Sequence, residues 1–400
     1  MSINRRQWLQ LGLLTTAGPA LAASAAAQGP APATACATPP AAAGAASRVY
    51  VGGYTSDLGW IQGRARGVAA CRLDPVSGRL VVLAEVAADN PSYLALHPCG
   101  RVLYATNEST RFGSPPDHSL SAFSIAADGS LALLNRVPSL GGAPCHLCVH
   151  PTGRFVLSAN YSGGNVVVHP VNPDGSLAPA SDNTATRRPS GGPHPPGRHA
   201  HSINIAPGGS FALGCDLGLD RVLVHRLDLG SGQLVAHGDA RVAAGSGPRH
   251  LAFHPNGRFA YVINELAGTI SAFAWDPAQG TLTDLQTVST LPVGYSGRKW
   301  AADIRVHPSG RFVYGSNRAH DSIAIFGVDA ATGRLSLVGH EPTRGRTPRN
   351  IALSPAGDWL LAANQDSSSI TTFRIDPATG TLRHLATNDV PTPVCIKFAV

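Results

Sequence analysis

Leu251–Leu282 reads LAFHPNGRFAYVINELAGTISAFAWDPAQGTL, and its punctuation decides the fold. Short apolar runs rich in β-branched and aromatic residues alternate with clusters of Pro, Asn, Asp and Gly, the pattern of strands joined by tight turns. The stretch predicts strand A at Leu251–Phe253, a turn at Pro255–Gly257, strand B at Phe259–Asn264, strand C at Thr269–Trp275 and strand D after Gly280.

The same unit recurs along the whole chain. A Gly-x-Leu turn stands at Gly78, Gly129, Gly175, Gly232, Gly280, Gly333 and Gly380, at intervals of 46 to 57 residues. A Pro-x-Gly turn begins at Pro98, Pro151, Pro207, Pro255, Pro308 and Pro355. A polar strand end follows about nine residues later at Asn107, Asn160, Asp216, Asn264, Asn317 and Asn364. Four antiparallel strands in a unit near 50 residues predict an all-β, seven-bladed propeller. Six units are complete and the seventh is split. Arg48–Tyr54 is a B-type strand with nothing before it, and Val394–Phe398 an A-type strand with nothing after it. Their pairing would close the ring and remove an exposed sheet edge.

A closed ring is one body, so residues 48–400 read as a single domain. The 44 Gly and 32 Pro fit a turn-rich chain, and 14% charged residues leave ample apolar side chains for a core. The net charge of +7 falls to +5 without Arg5 and Arg6. No basic run with interleaved aromatics appears, which speaks against nucleic acid as a partner.

Residues 1–27 read as a cleavable export signal: Arg5-Arg6 precedes an apolar stretch, Leu11–Ala26, that ends in small residues and resembles a twin-arginine signal. Residues 28–47, rich in Ala and Pro, read as a linker. The expected mature protein is periplasmic or secreted, a monomer, and free of the membrane after cleavage. Its seven cysteines are odd in number, and Cys71, Cys148 and Cys395 fall within strands, so mostly free thiols are expected. Cys145 and Cys148 are three apart in a strand and point to opposite faces, a poor metal or redox pair.

Antiparallel pairing puts the start of strand A and the end of strand B on one rim, around the central channel. Blade by blade that rim collects Tyr93 and Glu108; Cys145, His146 and Asn160; His199, His201 and Asp216; Arg249, His250 and Glu265; Asp303, Asn317 and Arg318; and Arg349, Asn350 and Asn364. His97, His150, His254 and His307 precede the turn prolines at the other end, where repetition marks a structural role.

Several stretches resemble the seven-bladed lactonase family, which includes 6-phosphogluconolactonases and carboxy-muconate lactonising enzymes. They are VYVGGY (Val49–Tyr54), NPSYL (Asn90–Leu94), HAHS (His199–Ser202), DLGLDRV (Asp216–Val222), GPRH (Gly247–His250), NEL (Asn264–Leu266) and SNRAHDS (Ser316–Ser322). The resemblance spans Arg48 to Phe398. It implies a functional set of one histidine, two arginines and one glutamate, falling here on His201, Arg249, Arg318 and Glu265. Arg298 and Lys299, in Gly297–Asp303, leave the second cation open. Substrate contacts are expected from His199, His146, Glu108, Asn317 and Lys299.

Opening a lactone requires an activated water and a fixed charge for the oxyanion. His201 or Glu265 could take the proton, and Arg249 and Arg318 could hold the charge or an anionic group of the substrate. No cofactor and no metal are expected. His194 and His199 lack an Asp, Glu or Cys at ligand spacing. The same rim could serve a non-catalytic propeller that captures an anionic metabolite, or a cycloisomerase that forms the lactone. With His201 and Glu265 on an exposed rim, their substitution is expected to leave the melting temperature nearly unchanged.

Overall fold

In the computed structural model the described residues are 47–109, 118–184 and 197–399. They form seven four-stranded antiparallel sheets. The fold is the seven-bladed propeller that the repeat predicts, and blades one to seven are numbered from the N-terminus. The expected signal, the expected linker up to residue 46 and His194 lie outside the described residues, while Ser47 opens the first strand.

The split blade closes as its ends require. The N-terminal strand Ser47–Gly53 pairs antiparallel with the C-terminal strand Pro393–Phe398, from Val49 opposite Phe398 to Gly53 opposite Pro393. The ladder continues at both ends, where the Tyr54 amide donates to the Thr392 carbonyl at 3.2 Å and the Ala399 amide to Arg48 at 2.9 Å. The last strand thus becomes the innermost strand of blade one.

Boundaries in the fifth blade match the reading closely, except that strand A begins at Pro248 rather than Leu251. Pro248 still pairs with Asn264, but only across a β-bulge that the apolar pattern does not register.

Six of the seven B strands are buried along their length, as in Phe259–Asn264 and Trp359–Asn364, because a neighbouring blade covers each face, and that of blade one is buried from Val49 on. Seven apolar clusters fill the spaces between successive blades. One joins Phe312, Tyr314 and Ile323 to Ile351, Leu360 and Phe373, and another closes the circle between Trp359 and Leu361 of blade seven and Val49 and Cys71 of blade one. Outer D strands face solvent on one side and alternate accordingly.

Polar side chains fasten neighbouring blades. Tyr50, Tyr104, Tyr261 and Tyr314 donate their hydroxyls to the carbonyls of Gly129, Gly175, Gly333 and Gly380, the first glycines of the Gly-x-Leu turns. The turn histidines work at the opposite end. Nε2 of His97, His150, His254 and His307 donates to a glycine carbonyl of the next blade at 2.7–3.1 Å. Nδ1 accepts the amide two residues on, which fixes the neutral tautomer. None of the six described cysteines is in a disulfide.

Candidate active site

The innermost strands of blades three, four, five and seven each begin with a β-bulge, and the extra residues are Cys145, His201, Arg249 and Arg349. A bulge leaves one residue outside the ladder and re-aims its side chain. Residues just past the B strands meet them: Tyr54, Glu108, Tyr161, Glu265 and Arg318. The rim is not exposed, contrary to the expectation from topology. His201, Arg249 and Arg318 are 5%, 2% and 3% accessible, so the charged groups lie recessed in a pit.

Glu265 is the hub. Its Oε2 lies 2.8 Å from Arg318 Nη2, 3.0 Å from Arg249 Nε and 3.8 Å from His201 Nε2. Its Oε1 accepts the indole N–H of Trp300 at 3.0 Å. The Arg318 guanidinium lies over that indole, 3.9 Å from the ring centroid. Arg249 and Arg318 are held by carbonyls as well, Arg249 Nη1 donating to Ala302 at 2.6 Å and Arg318 Nη2 to Ala301 at 2.9 Å. The Nε–H groups of both arginines are buried without an aligned acceptor.

Burial alone would raise the Glu265 carboxyl, yet Arg318, Arg249 and Arg349 outweigh it and hold the group below its ordinary range. Glu265 is therefore an ionised carboxylate of low basicity. Burial, followed by the charge of Arg249, drives His201 well below the usual imidazole range, so the ring is neutral at neutral pH. Its Nδ1 lies 3.8 Å from the Cys145 thiol, which is itself pushed up by burial. Burial also lowers the guanidiniums of Arg249 and Arg318, but the intrinsic value of that group is high enough to keep both cationic.

Arg349 is the residue that the sequence reading placed on the rim without a role. Burial opposes its charge, but Tyr54, Glu108 and Glu265 raise its proton affinity overall. Its guanidinium lies 5.6 Å from the Tyr54 ring and 5.4 Å from the Trp60 ring. The pit thus holds three guanidiniums. Tyr54, Tyr161 and Trp300 were missed, since aromatic residues at strand ends look like core. Their common position one or two residues beyond a B strand, or just before an A strand, is the signal that could have found them.

The expected substrate contacts divide. Glu108 borders the pit, accepting the Tyr54 hydroxyl at 3.0 Å. His199 stacks on Tyr161, whose ring also meets His201 edge-on. His146 packs against Tyr93 and His250 and accepts the Ile203 amide, one residue further along the inner strands. Asn317 is a correction: its amide is spent on the Thr290 hydroxyl and carbonyl, both at 2.7 Å, tying the loop before strand A. Three other B-strand ends serve the same structural purpose, Asn107, Asn160 and Asn364 donating to the carbonyls of Asp89, Ser139 and Thr343. Lys299 is exposed and Arg298 stacks on Trp300 from solvent, so Arg318 rather than either is the cation that reaches Glu265.

A relay leads away from the pit. Arg249 Nη1 lies 3.2 Å from His250 Nε2, and His250 Nδ1 lies 2.8 Å from Asp303 Oδ1. The Asp303 carboxylate also meets Arg305 at 2.9 Å and accepts Asn350 Nδ2 at 2.6 Å. Among the described residues no group of His, Cys, Asp and Glu is arranged to hold a metal ion.

Comparison with known proteins gives a consistent result. The family described as "Lactonase, 7-bladed beta-propeller" matches residues 48–398. A 6-phosphogluconolactonase of Bacillus subtilis is 35% identical over 356 residues, covering 87% of this chain and 97% of the relative. A 6-phosphogluconolactonase of Serratia proteamaculans is 36% identical over 271 residues, 67% of this chain and 76% of the relative. The solved structure of a periplasmic gluconolactonase of Pseudomonas aeruginosa superposes with a TM-score of 0.80 at 32% identity, covering 89% of this chain and 99% of that one. With its fold, its motifs and these relatives in agreement, the chain belongs to the seven-bladed β-propeller lactonase family.

Proposed function

We propose that this protein hydrolyses a small, sugar-derived lactone to its hydroxy acid, with His201 as general base and the arginines as oxyanion donors. One observation carries the assignment of roles. A neutral histidine stands 3.8 Å from a carboxylate that is itself saturated by guanidiniums. The Glu265 oxygens are taken up by Arg249, Arg318 and the Trp300 N–H, whereas the neutral His201 ring keeps a lone pair for the proton of water. Water attacks the lactone carbonyl, forming the new C–O bond as its proton passes to His201 and the carbonyl π pair moves to oxygen. Arg249, Arg318 or Arg349 receives that charge in a pit where it is not screened by bulk water. Glu265 stabilises the imidazolium. Collapse then breaks the ring C–O bond, and the imidazolium proton goes to the departing alkoxide.

The gluconolactonase and 6-phosphogluconolactonase names of the relatives support a sugar lactone as substrate. Purified protein is expected to release acid from a panel of sugar lactones, with and without a 6-phosphate, above the buffer rate. EDTA is expected to leave that rate intact, because side chains supply the charge. If no lactone is opened, yet an anionic ligand raises the melting temperature through Arg249, the propeller is a binding module.

A periplasmic, monomeric protein is part of the same reading, supported by Arg5-Arg6 ahead of an apolar stretch and by the periplasmic relative. Replacing both arginines with lysine is expected to leave unprocessed precursor in the cytoplasm. Normal export and cleavage of that variant would overturn the twin-arginine assignment.

A further inference from the structure

A second cavity of about 420 Å³, within the usual size range of ligand pockets, opens beside the pit. Its wall is made by Trp60, Asp57, Arg64, Gln365 and Asp366. Trp60 stands at the tip of a small hairpin, closed by the Asp57–Gln62 bridge and by the Ala65 amide on the Tyr54 carbonyl at 3.0 Å. Asn90 Oδ1 anchors the hairpin by accepting the amides of Thr55 and Ser56 at 2.8 and 3.1 Å. The indole is thus held in place although it is 48% exposed. It adjoins the pit through Arg349 and Tyr54, 5.4 Å and 5.1 Å away.

Gln365 supplies an independent sign of a ligand. It occupies the blade-seven position that Glu265 and Arg318 hold in blades five and six, just past strand B. It is 2% exposed. Its Nε2 donates to Asp366 at 2.8 Å, while its Oε1 has no hydrogen-bond partner. A buried carbonyl oxygen without a donor costs stability, so an occupant that brings one is favoured. The charged groups of the wall are two carboxylates and one guanidinium, the reverse of the cationic pit, and they disfavour a phosphate. A fixed indole face, an orphan acceptor and flanking carboxylates match the apolar face and hydroxyl donors of an uncharged sugar ring.

We infer that this cavity is a carbohydrate subsite, taking a second, uncharged sugar unit attached to the lactone whose ring lies in the pit. The inference rests on the lactonase reading for the ring but not for the subsite. The test compares cellobionolactone with gluconolactone, and separately measures calorimetric binding of cellobiitol, which has no lactone to open.

The disaccharide lactone is expected to show the higher kcat/KM. Gln365→Leu should lower the ratio of the two lactones roughly two- to tenfold, the range for one neutral hydrogen bond. Trp60→Ala, at an exposed position that leaves the core intact, should lower the same ratio and abolish cellobiitol binding. Equal rates on the two lactones with no cellobiitol binding would overturn the subsite and leave the lactonase reading standing. Trp60-dependent binding of cellobiitol with no lactone opened would do the opposite.

Discussion

At the scale of single residues, charge pairing explains more than exposure. Glu265 neutralises buried cations, so its removal is a structural as well as a chemical event. Glu265→Gln is expected to lower kcat/KM by on the order of 100-fold and to cost about 3–5 kcal/mol of stability by leaving guanidiniums unpaired. Michaelis kinetics and denaturant melts check both, and an unchanged melt would show the pit to be wetter than its burial indicates. His201 sets the pH dependence. Its neutral form persists well below the ordinary value, so kcat/KM should stay flat as pH falls through about 6.5, with its acid limb lower still. The folded values of His146, His201 and His250 are all depressed, burial being the first cause. The unfolded chain then takes up protons that the folded chain refuses. Stability is full above about pH 6.5 and is lost progressively as pH falls below it. Melting temperatures measured from pH 8 to pH 4 check the sign.

At the scale of elements, the repeat encodes its own joints. His254 and Gly310 make one of them, and the glycine is required twice over. Gly310 has φ +73°, and a Cβ there would come within 2.6 Å of the His254 ring. Gly310→Ala and His254→Ala should each destabilise, the latter by about 1–3 kcal/mol for the orphaned carbonyl. Because they act on one contact, the double variant should cost less than the two together. Strict additivity in urea titrations would mean that the joint carries no coupling. The bulges are elements of the same kind. They were not legible in the sequence, because a run such as Pro248–Phe253 alternates acceptably as a plain strand. The asparagine strand ends were legible as markers, but their direction was not: Asn317 turns to Thr290 in the loop arriving from the preceding blade, and the residue after it enters the pit.

At the scale of the molecule, seven interfaces between blades act in series around the ring. The Ser47–Gly53 and Pro393–Phe398 pairing is the closure on which the seventh depends. Deleting residues 392–400 removes Ile396 and Phe398 from the core and leaves Val49–Gly53 as a bare edge, a template for intermolecular pairing. The shortened protein is expected to aggregate or to melt without cooperativity, as light scattering and calorimetry would register. A cooperative melt at the parent temperature would show that the ring holds without this strand.

Strand order, blade number and the split blade were readable from residue spacing, because turns and strand alternation are local properties of the chain, whereas His201, Arg249, Arg318 and Glu265 were singled out by the family resemblance of their motifs. That the expected exposed rim is a recessed pit was decided only in three dimensions. Glu265 and its partners come from blades four to seven, with His201 and Arg349 nearly 150 residues apart in the chain. Ring closure brings them together, and three bulges set His201, Arg249 and Arg349 outside their ladders. No local pattern records how far such groups are buried or which charges they meet, and burial and charge are what set the chemistry of His201 and Glu265.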